Sequence, residues 1–199
     1  MVKDIIFLKK KERQGILDRL VHDFGFDYEK FKEEKFDLLK CYFFMNRKKK
    51  VFILNKTHEA EIFFERRSDL DKLRITTIGF YFLKMDNTFR LSYDGSILIG
   101  DYCSHNKIYF DLETIHKWIV GDYIVDSEIQ EKLITCKELP KVLEKDKIYV
   151  VNELKEHWNY FIIHNNKYFS MSKYVNGRII NSVPKERRLR ISKSEFYKF

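Results

Sequence analysis

The sequence predicts an α+β protein of two modules, an N-terminal α+β module over residues 1–105 and a C-terminal β-barrel-like module with short helices over residues 106–199. Three observations carry this. Ile16, Leu17, Leu20, Val21 and Phe24 recur at helical spacing near the start, whereas runs such as FDLLKCYFFM and KVFIL have the aromatic and β-branched character of strands. Brief strand patterns then alternate with two small helical patterns through the second half, an arrangement that suits a compact barrel. The positive charge is also lopsided: residues 165–199 hold nine Lys/Arg against two Glu, +7 of the chain's net +8.

Taken in order, the first helix is expected over Glu12–Phe24, with Arg13, Asp18, Arg19 and Asp23 on its solvent side and Gly25 as a left-handed cap. Lys35–Met45 and Lys50–Leu54 read as strands joined at a basic hairpin tip, Asn46 to Lys49. The cluster Arg47 to Lys50 is balanced between phosphate contact and plain solubilising charge. From His58 to Arg67 the pattern fits helix and strand equally. Leu73 to Leu83 should be a buried strand pair bent near Gly79. A short helix is expected around Ser92–Ile99 and a strand at Lys107–Phe110. Asp111 then caps a helix with Leu112, Ile115 and Ile119 on its apolar side, ended by Gly121. A helical stretch near Ser127–Leu133, strands at Lys147–Val151 and Trp158–His164, and a hairpin turning at Asn176-Gly177 complete the chain.

A hydrophobic fraction of 44% excludes a disordered chain, and only seven Gly and two Pro leave the loops to charged residues. Cys41, Cys103 and Cys136 are few, odd in number and far apart, which points to a reducing compartment. Ile5–Leu8 is too short an apolar run for a signal-peptide core, and no run of 18 apolar residues occurs, so the expected setting is soluble and cytoplasmic, with no membrane partner.

Catalytic patterns are thin. Cys103-Ser104-His105 puts a thiol beside an imidazole, but loop neighbours rarely reach nucleophile–base geometry. The six histidines form neither HExxH nor a zinc spacing, no Walker loop occurs, and Glu33-Glu34 sits in a charged surface stretch where nothing raises a carboxyl pKa. No cofactor, metal or catalytic residue is therefore expected. A charge cluster at one end points instead to an anionic partner, with nucleic acid first because phosphate neutralisation needs local density.

Lys107-Ile-Tyr-Phe-Asp111, followed by residues 112–120 and Gly121-Asp122-Tyr123, resembles the opening strand, helix and glycine turn of a PUA domain. Residues 167–173, Asn176 to Asn181 and Pro184 to Arg188 are similar to the end of the PUA segment in Sun/Fmu-type RNA cytosine-5 methyltransferases and related stand-alone archaeal proteins. Ile16–Phe26, Tyr42–Phe44 and Lys50–Ile53 resemble the module before PUA in the stand-alone proteins. The resemblance implies a PUA-like second module that holds structured RNA, transfer or ribosomal, in RNA modification or ribosome biogenesis. The methyltransferase part is missing: there is no GxGxxG, and none of the three cysteines follows a proline. The strand FSMSK, Phe169 to Lys173, also lacks the glycines common in PUA hairpins, which leaves close backbone approach to RNA there in doubt.

The candidate RNA-binding residues are Lys117, Gly121, Tyr123, Lys173, Tyr174, Lys185, Arg187, Arg188 and Arg190. Pro184 should stiffen the basic segment, and Tyr123 and Tyr174 are candidate stacking platforms, balanced against plain core packing. The expected partners are structured RNA and, through it, a modifying enzyme or a pre-ribosomal particle. The alternative is an adaptor whose aromatic strands, Tyr42–Met45 and Ile78–Leu83, dock an RNA-modifying enzyme.

Overall fold

The structure, a computed structural model of the chain, describes residues 5–57, 61, 79–86, 89–190 and 193–196. It divides into two units, Met1–Cys103 and Ser104–Phe199, and each combines helices with one sheet, so the α+β class holds for both. No helix among the described residues is long and apolar enough to cross a membrane.

The first unit runs β1 (Ile5–Phe7), α1 (Lys10–Phe24), α2 (Tyr28–Glu34), β2 (Tyr42–Asn46), β3 (Lys50–Leu54), β4 (Phe80–Met85), β5 (Phe89–Leu91) and α3 (Tyr93–Ile99). Its strands pair antiparallel in chain order. Helix α1 buries Ile16, Leu17, Leu20 and Phe24, and Phe24 stacks on Phe89 with centroids 6.3 Å apart. The apolar stripe is narrower than the sequence implies, because Val21 is exposed. Arg13 also departs from its expected solvent side: it is half-buried, and its guanidinium donates to the carbonyls of Leu39 and Cys41 at 2.8 and 3.0 Å. Gly25 closes the helix at φ 61°.

Lys35–Cys41 is not strand, contrary to the sequence pattern. The Asp27 carboxylate accepts from the Lys30 N–H and opens α2, whose Phe31 is fully buried. The Asp37 carboxylate does the same for Leu39 and sets a single 3-10 turn, Leu38–Lys40. Side-chain caps offer the backbone a local partner, and here they win over extension. Strand begins only at Tyr42, and the tip at residues 46–49 turns with Lys49 at φ 57°. Of the strand expected over Leu73–Leu83, the described part starts at Phe80; residues 73–78, and His58 to Arg67 apart from Glu61, lie outside the described residues. Helix α3 follows its Ser92 cap as expected, and Gly95 lets it meet β4, since a Cβ there would sit 2.1 Å from the Phe82 carbonyl oxygen.

The second unit runs β6 (Lys107–Tyr109), α4 (Leu112–Val120), β7 (Ile124–Val125), α5 (Asp126–Gln130), β8 (Leu133–Cys136), β9 (Ile148–Val151), β10 (Asn159–His164), β11 (Lys167–Tyr174), β12 (Arg178–Ile180) and the short α6 (Lys193–Phe196). The sheet order is β7-β12-β11-β10-β6-β9-β8. β6 with β10 and β8 with β9 are parallel, and the other neighbours are antiparallel. β8 was not expected; the helical stretch near Ser127–Leu133 stops at Gln130.

Helix α4 is the organising element of this unit. The Asp111 carboxylate accepts from the Thr114 N–H at 2.7 Å. Trp118, rather than the expected Leu112, drives its packing: Leu112 is exposed, whereas the Trp118 indole is fully buried and donates to the Ser170 hydroxyl at 3.1 Å. Two tight hairpins close β10–β11 and β11–β12. Asn165 and Asn166 take φ 46° and 58°, Asn176 and Gly177 φ 51° and 67°, the signature of two-residue type I′ turns.

Asp111 is also held by the Lys132 ammonium at 3.0 Å, which reaches Glu113 at 3.2 Å as well. Burial pushes the Asp111 carboxyl up, but the Thr114 hydrogen bonds and Lys132 outweigh it and hold it below its usual range. A depressed carboxylate stabilises the fold above its unfolded pKa and loses that contribution as pH falls through the lower, folded value. Lys132→Met should therefore cost about 1–3 kcal/mol at pH 7, and the difference should vanish in urea unfolding below the folded pKa. A difference that persists there would assign the loss to packing.

Candidate nucleic-acid interface

The C-terminal end of α4 is where the expected site residues meet. A helix leaves its last carbonyls without intrahelical partners. Here Gly121, at φ 116°, sends its N–H to the Lys117 and Trp118 carbonyls, and Asp122 sends its N–H to Lys117 at 3.0 Å. This is a Schellman closure, the geometry for which glycine is selected. The segment after β12 adds further donors to this end of the helix. The Asn181 side-chain amide donates to Trp118 O at 2.6 Å and to Asp122 O at 2.7 Å, and its own oxygen accepts from the Val183 N–H at 2.9 Å. Leu189 N–H donates to Ile119 O at 3.2 Å.

Residues 181–189 are thus docked across the helix end, and their shape is set by a 3-10 turn at Lys185–Arg187 behind Pro184. Lys185, Arg187 and Arg190 are exposed along this segment. Arg188 is different. Its Nε donates to Val183 O at 3.1 Å, and its side chain fills the space a Cβ on Gly121 would need, with Nη1 2.6 Å and Cδ 2.7 Å from that position. It is a half-buried strut beside the negative end of the α4 dipole, a place that suits a guanidinium.

Tyr123 leaves the turn 53% exposed, and the Arg178 guanidinium carbon stands 5.1 Å from its ring centroid. Arg178 is absent from the residues inferred from sequence; its signal was its place directly after Asn176-Gly177, at the start of an exposed strand. Along β12, Arg178 and Ile180 are exposed while Ile179 is buried, and Lys173 stands opposite Ile180 on β11. Lys173 and Arg178 therefore lie on one face with Tyr123 at its rim. Lys117 is half-buried on the last turn of α4. Asp122 and Glu186 are exposed as well, so the surface is cationic without being uniform.

Tyr174 does not join this face. At 9% exposure it pairs with Ile179 on the inward side, so its ring serves the core and offers no stacking platform. The glycine-free strand behaves likewise: Ser170, Met171 and Ser172 are buried in succession, with Ser170 accepting from Trp118 and Ser172 donating to the Ile180 carbonyl. Side chains occupy that part of β11, and RNA backbone has no approach to it. Glu156 closes the neighbouring turn by accepting from the N–H groups of Asn176 and Gly177.

Cys41 and Cys103 belong to the first unit and Cys136 lies on β8 of the second. Cys103 is buried, and burial pushes the Cys41 thiol up to about 11 and the Cys136 thiol upward too, which leaves both protonated at neutral pH. No protein-family model matches the chain, and no curated protein matches it significantly.

Gly121→Val should destabilise the second unit by about 2 kcal/mol or more, because a β-branched residue resists positive φ and collides with Arg188. Thermal unfolding checks this, and a melting temperature unchanged from wild type would show that the turn can relax. Asn181→Ala should cost about 0.5–1.5 kcal/mol by removing the amide shared by Trp118 O and Asp122 O, of which Trp118 O keeps the Gly121 N–H.

Proposed function

We propose that the chain is a non-catalytic RNA-binding protein whose second unit is a PUA-like domain that grips structured RNA, transfer or ribosomal, in RNA modification or ribosome biogenesis. One observation carries this reading: a segment with three exposed cations, Lys185, Arg187 and Arg190, is fastened across the end of α4 beside the Tyr123–Arg178 pair. A loose tail would lose ordering entropy on meeting RNA. A segment already held by backbone and Asn181 hydrogen bonds loses less. Cations along its length would neutralise phosphates, and the Tyr123 ring would take a base face.

The adaptor reading finds less support. Of its aromatic strands, Phe43, Phe44, Phe82 and Leu83 are buried, and Tyr42, Met45, Phe80 and Tyr81 are only half-exposed. They do not form the open apolar patch that docking would need.

Binding to total tRNA, ribosomal RNA and duplex DNA across a salt series tests the reading. Steep salt dependence with one RNA class is expected. Replacing Lys185, Arg187 and Arg190 together by Ala should flatten the slope of log K against log salt by up to about three. Arg188 is left in place so that the helix end stays closed. An unchanged slope would remove the segment as the phosphate contact, and equal weak binding to all three nucleic acids would remove RNA as the partner.

A further inference from the structure

The basic hairpin tip of the first unit continues into a feature that local sequence does not display. β3, β4 and β5 pair so that Lys50 stands opposite Lys84, and Lys84 opposite Arg90. Lys50 and, more than thirty residues later, Lys84 and Arg90 therefore cross the sheet side by side, each half-exposed. Directly opposed residues share a face and sit close, and like charges so placed destabilise a sheet. Relief is slight. Asp86 pairs with Lys84, Lys50 lies 4.8 Å over the Tyr81 ring, and Arg90 makes no ion pair among the described residues. Exposed Lys48 and Lys49 lengthen the positive strip at the tip, where Met85 N–H donates to Lys49 O and ties the tip to β4.

We propose that this row is an anion site on the first unit and that its occupant is the phosphate backbone of the bound RNA. The proposal rests on the RNA-binding reading and adds a second contact to it. Two strand spacings of ~4.8 Å make the row roughly 10 Å long, about three steps of a nucleic-acid strand that carries one charge per ~3.4 Å of rise. Charges arranged in a row on a sheet, with no base-reading amide among them, fit backbone positioning rather than sequence readout. An anion laid along the row would convert its mutual repulsion into attraction.

The test uses the full chain with Lys50→Gln and Arg90→Gln combined, leaving Lys84 to Asp86. With structured RNA the salt slope should become shallower by about 1–2. Without RNA the melting temperature should hold or rise by about 1–4 °C as repulsion is relieved. Lys50→Arg with Arg90→Lys keeps both charges and should keep the wild-type slope; if it loses the slope too, the effect is structural and the proposal falls. An unchanged slope in the Gln variant, with wild type still binding steeply, overturns this site alone. Failure of wild type to bind RNA overturns both readings, and row-dependent binding to phosphatidylserine vesicles in its place assigns the surface to a membrane.

Discussion

The second unit depends on the need of one short helix to satisfy its last carbonyls. Helix α4 spans nine residues, so a large share of its peptide groups lie in its end turns. The Schellman turn at Gly121 supplies two N–H donors, and Asn181 and Leu189 add donors to Trp118 O and Ile119 O from the segment that follows the last hairpin. That demand carries the chain's densest charge to a fixed place. The docking segment brings Lys185, Arg187 and Arg190 with it, and Arg188 lies against the turn itself. A requirement of local backbone chemistry thereby shapes the surface on which function is proposed.

The same economy runs through the loops. With so few glycines, left-handed backbone falls to other residues: Asn106, Asn152, Asn165, Asn166 and Asn176 all take positive φ, along with Lys49, Asp146 and His157. Asparagine tolerates this region because its short amide bonds locally to backbone. Tight turns are thus built without the flexibility that glycine would leave in the unfolded chain. Asn181 shows the other use of the amide, since it donates and accepts at once across three backbone groups.

Sequence made much of this legible. Amphipathic periodicity gave α1, the aspartate cap at Asp111 gave α4, and Asn176-Gly177 gave the last hairpin, because each rests on a local rule. What stayed hidden is non-local or too short for a period to show. Helix α2 has seven residues and one fully buried side chain, Phe31, so no repeat could establish it against an aromatic strand pattern. β8 has four residues whose pairing with β9 depends on tertiary contact. In β11 the run Ser170–Met171–Ser172 is covered on both faces, which erases the alternation that would have put Tyr174 inside. The basic segment was legible as charge, but the 3-10 turn at Lys185–Arg187 redirects its side chains, and that turn separates the strut Arg188 from its exposed neighbours.

Arg188 shows why counting cations overstates a binding surface. A guanidinium that donates to Val183 O and lies at the negative end of α4 already has partners inside the protein. Its charge still contributes to the field, but moving it to a phosphate would cost the contacts that hold Gly121 and the docked segment in register. Exposed Arg178 is held more lightly. Arg178 gives up only a ring contact at 5.1 Å, worth about 0.5–1 kcal/mol at an exposed site, and it can keep that contact while a phosphate binds its outer edge. Within one basic stretch, then, Arg188 holds the shape of the surface while Lys185, Arg187 and Arg190 stay exposed along it.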